Sequence, residues 1–218
     1  MNKCVVFDLD ETIGYFAQVY KIAKAFEKNF TYKFEKHHIL LLYKHFYNMF
    51  RPGIFTLLAY AQYLKEKYNI QIILYTNTIM ENIWVDTFLQ YSYEMVRLQF
   101  SNVIYLNSKC RSGVKKSTLD LYSCTASLNN MSSIMIIDNK KHKHLFQKNI
   151  EYVLVKTYFY LYENSLIWEK IHNIFNIPKR INIEKNILDH EFNEVLLKNT
   201  KSEILTIMSK VKHFSKSL

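Results

Sequence analysis

The sequence predicts an α/β fold: a parallel β-sheet with helices on both faces. Two observations carry this expectation. Four short, apolar, β-branched runs read as strands buried on both faces: CVVFDL, IQIILY, SIMII and EYVLVK. The stretches between them place apolar residues at helical spacing, and strands that alternate with helices are joined by crossovers that lay neighbouring strands parallel. The expected architecture is a Rossmann-like sheet with a small helical insertion after the first strand and a helical C-terminal tail.

In chain order, Cys4–Leu9 is the first buried strand. Phe16, Val19, Tyr20, Ala23, Phe26 and Phe30 then mark one face of a helix. A second helical stretch runs from about Glu35 to Phe50, so 15–50 forms the insertion. Arg51-Pro52-Gly53 is a break. A helix over Phe55–Tyr68 follows, with an apolar stripe through Ile54, Leu57, Leu58, Ala61 and Leu64. Ile70–Tyr75 is the second buried strand, and Glu81–Gln90 the next helix. Asn102–Leu106 reads as a further strand and Lys116–Leu128 as a helix. Ser133–Ile137 and Glu151–Lys156 complete the strands, and Leu166–Phe175 is helical. After Pro178 the pattern becomes polar, with a stripe through Val195, Leu196, Ile204, Leu205, Met208 and Val211. We therefore divide the chain into a domain over 1–178 and a helical extension over 179–218.

Composition narrows the class. The 218 residues are 49 % hydrophobic and 22 % charged, enough to bury a sizeable core. Aromatic content is high, with 17 Tyr and 15 Phe, and only 3 Gly and 2 Pro occur, so few tight turns are encoded cheaply. The net charge of +10 favours anionic partners, although no dense basic block stands out. Cys4, Cys110 and Cys124 are odd in number and form no C-x-x-C, which indicates neither a disulfide framework nor a zinc site and fits a reducing compartment. The first residues resemble no signal peptide, and the most apolar stretch, near Ile39–Leu42, is far short of a membrane span. The expected setting is intracellular, cytoplasmic or nuclear, without membrane contact.

Three strands end in groups suited to phosphate chemistry: Asp8-Leu9-Asp10-Glu11-Thr12, Thr76-Asn77-Thr78 and Asp138-Asn139. In an open parallel sheet, ligands bind outside the carboxyl ends of the strands, so these segments should converge. A phosphomonoester has a poor leaving group and a repulsive, charged phosphorus. A carboxylate nucleophile divides its hydrolysis into two easier displacements, and a hard cation neutralises the phosphoryl oxygens. Asp8 can attack while sharing an oxygen with Mg²⁺. Asp10 can protonate the leaving group and later activate water, and its backbone carbonyl is placed for the metal. Thr76 offers a hydroxyl to a phosphoryl oxygen. A lysine must balance the growing negative charge, and Lys115 and Lys116 both lie between the second and third strand ends.

These residues resemble the haloacid-dehalogenase-like superfamily and, within it, the NLI-interacting-factor-like family, which includes the small phosphatases acting on the RNA polymerase II C-terminal domain. Asp-Leu-Asp-Glu-Thr is that family's form of the first motif, Arg51-Pro52-Gly53 is similar to its R-P-G helix start, Leu74-Tyr75-Thr76-Asn77 to its aromatic-T-A-S segment, and Ile136-Ile137-Asp138-Asn139 to its Asp-Asn motif. The resemblance covers roughly residues 3–175. It implies Asp8 as nucleophile, Asp10 as acid/base, and Mg²⁺ held by Asp8, the Asp10 carbonyl and Asn139. Asp138 would pair with the lysine, for which Lys116 is preferred over Lys115. The implied substrate is a phosphoserine or phosphothreonine protein, the polymerase domain among them. Asn77-Thr78 in place of Ala-Ser, 22 positions from Lys116 to Asp138, and the helical segment 15–50 all depart from the family pattern. Two other readings compete: a small-molecule phosphatase of the same superfamily, and an idle module binding a phosphoprotein or nucleic acid. For the second, no basic-aromatic motif of a known nucleic-acid-binding type appears.

Two further clusters are ambiguous from sequence. Lys140, Lys141, His142, Lys143, His144 and Lys148 are either a solvated helix face or a contact for an acidic partner. Tyr91, Tyr93, Phe100 and Tyr105 are either core residues or part of a substrate grip.

Overall fold

Five strands assemble in the order β3-β2-β1-β4-β5, every neighbouring pair parallel: β1 Lys3–Phe7, β2 Gln71–Tyr75, β3 Asn102–Ile104, β4 Ser133–Asp138 and β5 Ile150–Leu154. This computed structural model describes residues 2–30, 32–175 and 197–216, the side chains of the last segment from 202 onward. Helices α1 Ala17–Phe30, α2 Lys36–His45, α3 Ile54–Tyr68, α4 Asn82–Val96, α5 Thr118–Cys124, α6 Asn164–Phe175 and α7 Leu197–Lys216 flank the sheet.

Alternation along the strands divides the core in two. Val5, Phe7, Ile72, Leu74, Met135 and Ile137 face the larger layer, which they share with buried residues of α1, α2, α3, α4, α6 and α7. Cys4, Val6, Ile73, Tyr75, Ile134 and Ile136 face the smaller one, closed by Leu121 of α5 and by Leu128 and Leu145. Both faces are covered, which is why these strands carry no polar alternation. The insertion does not form a separate cap. Phe16, Tyr43 and Phe50 pack their rings edge-on with centroids 5.4–6.0 Å apart, and Phe16 and Phe50 also meet Phe88 of α4. Segment 15–50 therefore shares the main core.

The structure shifts several expected boundaries. The stretch 35–50 divides into α2 and a 3₁₀ turn over Tyr47–Met49. Helix α4 runs on to Val96, past the expected end at Gln90, because no breaker intervenes before Arg97 takes the left-handed cap (φ 59°). Helix α5 is shorter than expected, beginning only after Ser117, whose side chain caps it by accepting from the Asp120 amide at 3.1 Å. The lysines after β4 lie around a three-residue 3₁₀ turn, Lys143–Leu145, rather than on a helix face. In the tail, Ile204, Ile207, Val211 and Phe214 are buried at helical spacing. Leu205, expected in the stripe, lies about 100° round the helix from Ile204 and is 68 % exposed. Val195 and Leu196 lie outside the described residues.

Cys110 and Cys124 are joined by a disulfide, contrary to the expectation from their number and spacing. The loop between them folds back so that Ser123 Oγ donates to the Cys110 carbonyl at 2.8 Å. Linear spacing carries no sign of that return. The remaining Cys4 is buried in β1, and burial pushes its thiol far above the ordinary range. Closing a loop of this length contributes about 2–3 kcal/mol through the unfolded chain. A dithiol reductant should therefore lower the urea midpoint of the wild-type protein, and Cys124→Ser should show no further loss on reduction.

Candidate active site

All three strand ends predicted to converge do so. Because β1 is flanked by β2 and β4, three adjacent parallel strands bring Asp8 just after β1, Thr76 just after β2 and Asp138 at the end of β4 to the same sheet edge. The Asp8 amide donates to the Ile137 carbonyl at 3.0 Å, extending the ladder to the residue itself. Lys116 reaches in from the loop before α5. Its Nζ lies 2.5 Å from Asp8 Oδ1 and 2.8 Å from Asp138 Oδ2, and the residue is 2 % exposed. Lys115 is exposed and makes no such contact among the described residues. Of the two lysines, Lys116 is the one placed between the carboxyl groups.

Burial sets the electrostatics. Asp8 is pushed up by burial, opposed by the Lys116 ammonium and raised again by the nearby Asp138 charge. Asp138 is also buried, but hydrogen bonds from His142, Lys116 and the Lys140 amide outweigh that and hold it below the usual carboxylate range. Burial pushes Asp10 up to about 6, against a hydrogen bond from the Thr78 hydroxyl and with help from the Asp8 and Glu11 charges. Three carboxyl groups thus share one buried ammonium.

The oxygen-rich side of the site is fixed by Thr12 and Asn139. Thr12 Oγ1 accepts from the Asn139 amide at 3.0 Å and approaches Asn139 Oδ1 at 3.3 Å. Asn139 Nδ2 donates to Glu11 Oε2 at 2.8 Å and to Thr157 Oγ1 at 3.3 Å, which fixes the amide plane. On the β2 side, Thr76 is fully buried, with its amide on the Ile104 carbonyl and its Oγ1 accepting from the Thr78 amide at 3.0 Å.

A family model described as NLI interacting factor-like phosphatase matches residues 3–179. The chain belongs to that family. No curated protein and no solved structure matches it. As a member of this phosphatase family, with its five-stranded parallel sheet, the chain has the haloacid-dehalogenase-like fold that its motifs resemble.

Several residues of this phosphatase's site escaped the sequence reading. Thr78, noted only as a departure from Ala-Ser, hydrogen-bonds Asp10. Arg111 sets the lysine loop: its Nη1 donates to Asn77 Oδ1 at 2.8 Å, its Nη2 to the Val114 carbonyl at 2.9 Å, and its guanidinium lies 5.0 Å from the Tyr75 ring centre. Asp120, wholly buried, accepts from the Ser112 amide at 2.7 Å, from Ser112 Oγ at 2.8 Å and from Tyr75 OH at 2.5 Å. Two clues were present, a charged residue at a helical apolar position and an arginine five residues before the lysine, but neither specifies a partner. Burial raises Asp120, yet its hydrogen bonds outweigh that and leave its carboxyl below the ordinary range. Its contribution to stability is therefore present above the unfolded carboxyl range and lost as pH falls through the folded value. Asp120→Asn should flatten the acid limb of the stability curve below about pH 4 relative to wild type, read by thermal melts.

The aromatic cluster divides. Tyr91 is buried against Phe50 at 5.3 Å, Tyr105 bonds Asp86 through its hydroxyl, Phe100 packs on Phe88, and Tyr93 is exposed. Among the described residues, no helix is long and apolar enough to cross a membrane.

Proposed function

We propose that this phosphatase hydrolyses phosphomonoesters through an aspartyl-phosphate on Asp8, with Mg²⁺ as cofactor and a phosphoserine- or phosphothreonine-bearing protein segment as substrate. The single observation that supports this reading most is the Asp8–Lys116–Asp138 bridge at one sheet edge.

Each residue has a role that follows from its surroundings. An oxygen of Asp8 attacks phosphorus and the bond to the leaving oxygen breaks. Asp10, pushed up to about 6, titrates close enough to neutrality that a minor fraction, roughly a tenth at pH 7, carries a proton to give to that oxygen. In the second displacement water attacks the acyl phosphate, Asp10 takes the water proton, and the phosphorus–oxygen bond to Asp8 breaks to release phosphate. Lys116 opposes the effect of burial on Asp8 and balances charge on the phosphoryl oxygens, while Asp138 orients Lys116. Thr76 retains a hydroxyl proton to donate. The donor set fits Mg²⁺, because Asp8, the Asp10 carbonyl and the fixed Asn139 amide offer oxygens only, and the carboxyl groups of Asp8, Asp10 and Asp138 outnumber the Lys116 ammonium they share. When bound, the cation supplies charge neutralisation at the phosphoryl oxygens.

The substrate reading rests on two features. Segment 15–50 joins the core instead of standing as a cap, so the edge can admit a side chain carried on a polypeptide. Lys140, Lys141, Lys143 and Lys148 are exposed just after Asp138 and suit an acidic, phosphorylated chain. The RNA polymerase II C-terminal domain is one such chain. A panel of phosphopeptides, sugar phosphates and nucleotides, with and without chelator, tests both proposals. Phosphopeptides should give the highest kcat/KM, with a lead that narrows as salt rises. Chelator should stop turnover and added Mg²⁺ restore it. A panel won by a small metabolite would overturn the substrate, and full activity in chelator the cofactor.

A further inference from the structure

The loop carrying Asp8 and Asp10 bends sharply. Glu11 sits in the left-handed region at φ 62°, a conformation that costs a non-glycine residue energy and persists only where its surroundings hold it. Gly14 closes the bend so tightly that a Cβ there would lie 2.6 Å from the Met49 carbonyl oxygen. Arg51 holds the bend. Its Nη2 donates to the Glu11 carbonyl at 2.8 Å and to the Lys156 carbonyl at 2.6 Å, its Nε donates to the Thr12 carbonyl at 2.6 Å, and its own amide donates to the Ile13 carbonyl at 2.9 Å. The side chain is 1 % exposed. Its remaining nitrogen, Nη1, donates to Glu203 Oε2 at 2.9 Å, and Glu203 Oε1 accepts from the Lys156 amide at 2.7 Å. Glu203 belongs to α7, beyond the residues that the family model matches. Beside it, Ile204 packs where a Cβ on Gly53 would be 3.4 Å away.

We propose that Arg51 and Glu203 are positioning residues for the phosphoryl-transfer loop, so that α7 acts as an intramolecular brace of the site through the Arg51 guanidinium. This deepens the phosphatase reading above and rests on it for its catalytic consequence. An arginine with every guanidinium nitrogen engaged holds the two successive carbonyls of Glu11 and Thr12. Removing its carboxylate partner leaves a buried guanidinium free to tilt, and the carbonyls of Glu11 and Thr12 tilt with it. The brace touches neither substrate nor the reacting atoms.

The test compares the full-length wild type with Glu203→Gln, Glu203→Ala and Ile171→Val, the last a core change in α6 that lowers Tm without contacting the loop. Two readouts are taken on each protein. Amide exchange at Glu11, Ile13 and Gly14 should quicken about tenfold in Glu203→Ala and less in Glu203→Gln, which keeps an acceptor for the Lys156 amide. On p-nitrophenyl phosphate with Mg²⁺, kcat should fall about tenfold in Glu203→Ala with KM within about twofold. Ile171→Val should leave loop exchange and kcat at wild-type values. Unchanged loop exchange in both Glu203 variants would overturn the brace. So would Ile171→Val giving the same loop change at an equal loss of Tm. A wild-type chain without turnover on any phosphate ester would sink the phosphatase reading, and the exchange result alone would then decide the brace.

Discussion

Asp8→Asn should abolish turnover while the protein stays folded. The amide oxygen is a far weaker nucleophile than a carboxylate and carries no charge for the metal. Removing a covalent nucleophile leaves only the contribution of the remaining groups, so kcat should fall at least about 10³-fold. Stability should move little. Asp8 is a buried carboxylate held against desolvation by Lys116, and the isosteric amide gives up an ion pair together with the burden of burying a charge. The measurement pairs a p-nitrophenyl phosphate assay with a thermal melt. Near-normal activity with a native melt would remove Asp8 as nucleophile.

Lys116→Met should damage both activity and stability. It leaves Asp8 and Asp138 buried side by side without their shared cation, and breaking a buried pair from one side costs about 3–5 kcal/mol. Both carboxyls should then titrate higher in the folded state than in the unfolded chain. A carboxyl so raised makes the folded state bind more protons, so the variant loses stability as pH rises and regains it as pH falls. In metal-free buffer, the Tm gap from wild type should narrow from pH 7 to pH 5. Lys115→Ala, at an exposed position, should stay within about 0.5 kcal/mol of wild type and keep its activity. Equal losses from the two lysine substitutions would contradict the assignment.

The strands and the carboxylates on their ends were legible because buried parallel strands announce themselves as short apolar runs, and chemistry at their carboxyl ends follows from topology. The convergence of Asp8, Thr76 and Asp138 needed no further information. The choice between Lys115 and Lys116 did, since a one-residue shift in a loop reverses which side chain points inward, and the loop's register is set by Asp120 and Arg111 from positions with no recognisable pattern. The pairing of Cys110 with Cys124 was invisible for the same reason. Arg51 was read correctly as part of a break, but its role depends on carbonyls at 11, 12 and 156 and on Glu203, contacts that no local periodicity encodes. Leu205 misled because a polar helix offers too few apolar residues to fix the phase of its stripe.

The central place of β1 also bears on how the chain comes to fold. Lys3 pairs with Ser133 and Cys4 with Gln71, so the strand that ends in Asp8 has one partner about 70 residues away and the other about 130. During synthesis at about 5–20 residues per second, an apolar first strand waits several seconds for β2 and longer still for β4. Contacts this distant in sequence place the chain among slow folders. Asp8 and Asp138 come together only when that last central pairing forms, so catalytic competence should appear late in refolding, after most helical signal has returned.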